Sequence, residues 1–158
     1  MATITATLAP AHGSSSRGRQ PYMVEQTIDL TANSINPNGD VVQAITVPAN
    51  TKIIAAGLQV TASATQNTGT DATAILGTAV DDSEYVAAVD IDGAADGAYA
   101  PSATVAGDVV ITSADTLDVT LAGGGASFTA GTLRVYAVMM DVSALGEMTA
   151  DEVSRDSA

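Results

Sequence analysis

Chemistry in this chain has to be built almost wholly from carboxylates: its 158 residues include eighteen Asp and Glu, one histidine (His12) and no cysteine. Two short acidic runs, Asp81-Asp82-Ser83-Glu84 and Asp90-Ile91-Asp92-Gly93, carry oxygen ligands of the kind calcium takes. Neither has the spaced acids of an EF-hand loop, and Asp and Gly are also what β-turns use, so turn formation is their expected role. Paired carboxylates can hydrolyse glycosides. With no tryptophan and four tyrosines, however, the chain has little with which to stack a sugar, and solvated loop acids are the expectation. His12 lies in a polar N-terminal stretch without a second His or a Cys, which argues against zinc and Cys-nucleophile chemistry and leaves no histidine for a serine triad in the rest of the chain. Gly123-Gly124-Gly125 is not followed by Lys-Ser/Thr and reads as a loop, not a phosphate cradle. The sequence leads us to expect no catalytic residue, no metal and no cofactor.

The elements around these residues read as β-structure. Between Lys52 and Arg134 there is no basic residue, and ten carboxylates are scattered among short runs of Val, Ile, Thr and Ala. Those runs alternate as half-buried strands do, and Gly, Asn, Asp and Pro clusters separate them. The chain length suits one domain. Its apolar content is mostly Ala and Val with a single Phe, Phe128, so each buried residue removes little area from water. Such a core gains from packing against copies of itself, and a homo-oligomer is expected. The formal charge of −13 argues against nucleic acid or an anionic membrane as partner. No basic start or continuous apolar run at the N-terminus suggests a secretory signal, no run is long enough for a membrane span, and a soluble protein made in a cytoplasm is expected.

Three regions follow. Residues 1–21 form an extended arm, Thr-rich and then Gly/Ser-rich, with Arg17 and Arg19. Residues 22–142 form the folded domain, and residues 143–158 a polar tail in which Thr149-Ala150-Asp151-Glu152 has capping-box spacing for one short helix. In the domain, Tyr22, Val24, Ile28 and Leu30 share one strand face, and Asn36-Pro37-Asn38-Gly39 marks a turn. Residues 41–47 make a second strand. A long third over 52–62 has Ile54, Ala56, Leu58 and Val60 in register, and further strands fall at 72–77, 109–111 and 116–121. Residues 84–91 read as either strand or a helical turn. The last strand, 132–142, sets Leu133, Val135, Ala137 and Met139 on one face and Arg134, Tyr136, Val138 and Met140 on the other. Being apolar on both faces, it is either central or covered by another subunit. An all-β antiparallel sandwich, jelly-roll-like, is the expected fold class.

Several segments together resemble a known group: Val41-Val42-Gln43-Ala44-Ile45 with Pro48-Ala49-Asn50-Thr51, then Ala56-Gly57-Leu58-Gln59-Val60-Thr61, Gly69-Thr70-Asp71-Ala72-Thr73, and Thr129-Ala130-Gly131-Thr132-Leu133-Arg134-Val135-Tyr136-Ala137. Over residues 22–142 they are similar to small β-sandwich head proteins of tailed bacteriophages, notably those of marine and cyanobacterial hosts. The motifs are strand-and-turn patterns and bring no active-site residues. The resemblance implies a virion structural protein: a decoration (cement) subunit, commonly trimeric, that binds the major capsid protein on the outer surface and bridges capsomers after assembly in the host cytoplasm. On that reading the arm attaches to the capsid through Thr3, Ile4, Leu8, Arg17, Arg19 and Tyr22, with the two guanidinium groups on acidic shell groups. Val135, Tyr136, Val138 and Met140 form the subunit interface. A head-fibre or tail module that binds host glycans through a groove at Tyr85 and Tyr99 is the alternative, and a calcium-dependent accessory domain of a hydrolase a second.

Overall fold

The computed structural model describes residues 3–9 (as backbone), 20–69, 71–100 and 110–142. The described chain is an antiparallel β-sandwich of ten strands: β1 (Thr3–Ala9), β2 (Tyr22–Asp29), β3 (Val41–Val47), β4 (Thr51–Gln66), β5 (Thr73–Gly77), β6 (Val86–Asp90), β7 (Tyr99–Ala100), β8 (Val110–Ile111), β9 (Asp115–Ala122) and β10 (Phe128–Asp141). One sheet has the order β1-β3-β9-β5-β6. The other runs β2-β10-β4-β7, with β8 also on β4. The 84–91 segment, open between strand and helical turn from sequence, contributes β6. The capping-box segment at 149–152 lies outside the described residues.

Period-two alternation builds the core. Val42, Leu117, Val119, Leu121, Ala74 and Leu76 point inward from the first sheet, and Val24, Ile28, Leu58, Val60, Leu133, Val135, Ala137 and Met139 from the second. Alanines (Ala44, Ala56, Ala64, Ala72, Ala74, Ala137) are buried in this core as well, as is Phe128 at the start of β10. The last strand is central: β10 pairs with β2 on one side and β4 on the other.

Two features depart from simple alternation. In β4, Val138 pairs with Ala55 but Met139 pairs with Ile53, so one extra residue is accommodated at Ile54. The bulge puts Ile53, not Ile54, in the core with Ala56, Leu58 and Val60, which corrects the expected register. The first seven described residues also add a strand to the first sheet: β1 pairs with β3 in parallel, the one parallel ladder among the described residues.

Turn residues sit where their backbone requires them. The Asn36-Pro37-Asn38-Gly39 turn closes with Gly39 at φ +90° and the Asn38 amide donating to Asn36 Oδ1 at 2.8 Å. Gly131, at φ +130°, lets its carbonyl accept from the Leu30 amide at 3.1 Å. A Cβ at position 131 would approach Ala64 Cα to 2.7 Å and Leu30 Cδ1 to 2.9 Å. Gly131→Ala therefore combines a left-handed φ with overpacking, and a loss of about 2–4 kcal/mol is expected in chemical denaturation. A loss below about 0.5 kcal/mol would mean that the β4–β10 crossing yields freely at this point.

Candidate functional site

The outer face of the second sheet is the best-formed candidate surface. Because β10 is central and alternates, the residues that do not enter the core all emerge on this side: Arg134, Tyr136, Val138 and Met140, each half-buried. Register lines them up in rows across the sheet. Thr27, Arg134, Gln59 and Tyr99 form the first row, Glu25, Tyr136 and Gly57 the second, Met23, Val138 and Ala55 the third, and Met140 and Lys52 the fourth. The face thus grades from a polar end to an apolar end, and no described element packs over it.

Gly57 sets the local shape. A Cβ there would collide with the Tyr136 ring and hydroxyl, so the tyrosine lies flat across the β4 backbone. Its ring meets Tyr99 edge to face, with centroids 6.3 Å apart and planes at 71°. Arg134 Nη2 donates to the Tyr99 hydroxyl at 2.8 Å, and Nη1 lies 3.7 Å from Glu25 Oε2. Its Nε is buried without a hydrogen-bond partner. The guanidinium therefore joins three strands, β2, β10 and β7, at the polar end. At the other end Met23 is 57% exposed and lies beside Val138. Of the five basic residues, Lys52 and Arg134 are the two among the described residues, and both stand on this face.

Of the residues expected at a subunit interface, Tyr136, Val138 and Met140 are together here. Val135 is not: it points the other way, fully buried in the core between the two sheets, because adjacent strand residues face opposite sides. Met23, Gly57 and Lys52 escaped the sequence reading, and Tyr99 entered it only as a glycan-groove residue, since their placement depends on which strands flank β10. The one local signal was a glycine inside an otherwise apolar strand.

The arm residues are spread more widely. Thr3, Ile4 and Leu8 fall on β1, against β3, and Arg17, Arg19 and His12 lie outside the described residues. Tyr22 opens β2 and packs partly against the core; burial, and then the charge of Asp141, push its hydroxyl pKa up. A glycan groove shared by Tyr85 and Tyr99 does not form, because Tyr85 is buried at 2% exposure in the first sheet's β5–β6 turn while Tyr99 is on the second sheet.

The acidic runs are engaged with their own backbone. Asp81 Oδ1 accepts from the Ser83 amide at 3.0 Å, and Asp90 Oδ1 from the amides of Asp92 at 3.0 Å and Gly93 at 2.7 Å. Asp92 Oδ2 accepts from the Ala72 amide at 3.0 Å, the leading reason its pKa is lowered. Among the described residues no group of three or more acidic, His or Cys side chains is arranged to hold a metal ion.

One carboxylate behaves differently. Asp118, on the outer side of β9, is largely buried and accepts from the Thr116 hydroxyl at 2.6 Å, which in turn receives Gln43 Nε2 at 3.3 Å. Burial raises its pKa; the Thr116 bond opposes that and the Asp115 charge adds to it. A folded-state pKa above the unfolded one contributes stability in acid that is lost as pH rises through the folded value. Asp118→Asn, which keeps the acceptor oxygen, should thus raise Tm at pH 7, with the gain shrinking as pH falls. A lower Tm at pH 7, or a shift independent of pH in thermal melts, would refute this account.

Comparison with solved structures places the architecture. A chain of the capsid of Ralstonia phage GP4 superposes with a TM-score of 0.66 at 18% identity, over 90% of this chain and 99% of that one. The fold is one found in phage capsids. A chain of the cyanophage Pam1 capsid asymmetric unit gives 0.57 at 20% identity, over 84% and 90%. One from the acidic stable capsid of Helicobacter pylori bacteriophage KHP30 gives 0.51 at 16%, over 77% and 89%. No protein-family model and no curated protein matches the sequence.

Proposed function

We propose that this protein is a non-enzymatic structural component of a phage virion, acting as a decoration (cement) subunit on the outer surface of the capsid. The observation that carries this reading is the match of nearly the whole chain to nearly the whole of a chain from the Ralstonia phage GP4 capsid, with two further phage capsids beside it. The side-chain inventory agrees: carboxylates are tied into turns, and the conspicuous surface is a broad sheet face and not a cleft.

The subunit is a homo-oligomer, a trimer on the cement reading, that contacts the major capsid protein. Its own copies meet through the outer face of the second sheet. Charge favours that face. Most of the described acids lie on the loops and the first sheet, where two copies of a −13 chain repel, while on the second Lys52 and Arg134 offset two of the three acids Glu25, Asp29 and Asp141. The arm provides shell attachment, with Arg17 and Arg19 on shell carboxylates.

Two measurements test the two surfaces separately. Val138→Glu places a charge in the apolar rows and is expected to reduce the mass in light scattering to that of one chain, with Tm changed by no more than a few degrees; an unchanged mass would place the interface elsewhere. Arg17→Glu with Arg19→Glu should lower co-sedimentation with empty capsids at least tenfold and remove the rise in shell rupture temperature. Full binding by the doubly reversed protein would refute attachment through the arginines.

A further inference from the structure

We infer that the oligomer closes head to tail: the β5–β6 turn of one copy, with Val80 at its tip, docks on the apolar end of the second sheet's outer face in the next copy. The inference rests on the oligomeric subunit proposed above and names what that face meets.

Symmetry sets the requirement. A patch that meets its own copy about a two-fold axis stops at two chains, so a larger ring needs two different patches on every copy. The outer face of the second sheet supplies one. The other has to be exposed, apolar at its centre and opposite in charge to Lys52.

Val80 stands where such a patch is required. Four large apolar side chains are exposed among the described residues, and three of them, Met23, Tyr99 and Val110, belong to strands of the second sheet. Val110 extends the Met140–Lys52 row onto β8. The fourth, Val80, is 94% exposed and lies between β5 and β6. The turn enforces that exposure. The Thr78 amide donates to the Asp81 carbonyl at 2.8 Å, the Asp81 amide to Thr78 Oγ1 at 3.4 Å, and the Ser83 amide to Asp81 Oδ1 at 3.0 Å. These bonds leave Ala79 and Val80 at the tip, followed by Asp81 and Asp82, all four exposed. A turn tied at its base that holds a valine in water beside two carboxylates complements a face that carries Met23, Val138 and Met140 beside an ammonium.

The two patches also lie at one level. Copies in a ring are related by rotation alone, which leaves height along the axis unchanged, so patches that meet must stand equally high. Ala74 and Leu76 point into the core, so Gly77 faces outward, and a Cβ there would run into the Asp81 carbonyl and the Asp82 backbone. The turn is therefore held on the outer side of the first sheet. Gly77 pairs with Asp118, close to the start of β9 at Asp115, and Asp115 pairs with Val47. Residues 48–50 then lead from β3 to Thr51, which pairs with Asp141, next to Met140. Turn and apolar rows share one end of the sandwich. They occupy different sheets, so one copy can use both at once.

The chain contains no cysteine, so introduced thiols report the contact. Chains carrying Val80→Cys and chains carrying Met23→Cys are refolded together, treated with a short bismaleimide and run on a denaturing gel, beside each variant alone. Light scattering gives the mass of the untreated protein. Both positions are exposed in the single chain, at 94% and 57%, so neither change disturbs the core. The expected result is linked dimers from the mixture in clear excess over either variant alone, and a single-chain mass for Val80→Glu with Tm unchanged. Links confined to Met23→Cys alone, or no links, in a protein of multi-chain mass overturn the inference while leaving the oligomer. A multi-chain mass for Val80→Glu overturns it likewise. A single-chain mass for the unsubstituted protein removes the oligomer reading, and the docking contact with it.

Discussion

The constraint on which this structure depends is the position of β10 between β2 and β4. A strand paired on both edges cannot slide by one residue without exchanging every inward side chain for an outward one. Leu133, Val135, Ala137 and Met139 hold it against the first sheet. Once they are inside, Arg134, Tyr136, Val138 and Met140 must be outside, and the pairing with β2 and β4 brings Met23, Lys52 and Gly57 beside them. Core and outer surface are two consequences of one register.

Much of this was legible along the chain because period two is a strong signal where one face is dry. Strands β3, β9 and β10 lie close to where alternation puts them, and the turn at 36–39 was plain from Asn-Pro-Asn-Gly. What could not be read were properties of neighbours. The bulge at Ile54 is fixed by how β4 matches β10, and nothing in Lys52-Ile53-Ile54-Ala55 announces it. Asp118 looks like any strand acid until Gln43 and Thr116 are found against it. The Thr-rich N-terminus lacks a hydrophobic stripe of its own, and reads as an arm because the β3 edge that gives it order is more than thirty residues away.

The candidate face and the arm answer to different physics. The face works by desolvation: it is shaped by Gly57, stiffened by the Tyr99–Tyr136–Arg134 contacts and graded from polar to apolar. The first strand is held by its backbone ladder to β3, a kind of pairing that asks little of side-chain fit. On the reading proposed above, a subunit that sits on a shell and also meets its own copies would use both kinds of surface.

The order of strands along the chain carries one more consequence, for how the protein is made. The central strands of both sheets, β9 and β10, come last in sequence, so β3 waits for residues 115–122 and β2 for residues 128–141. Neither sheet can close while the ribosome still holds those residues. Folding is therefore a single late event dominated by distant pairings, slow compared with that of helical domains of similar size. A polypeptide that stops short of β10 leaves β2 and β4 with bare edges, the state most open to aggregation. Completion of β10 is thus a checkpoint for folding, since without residues 128–141 neither β2 nor β4 has its shared partner.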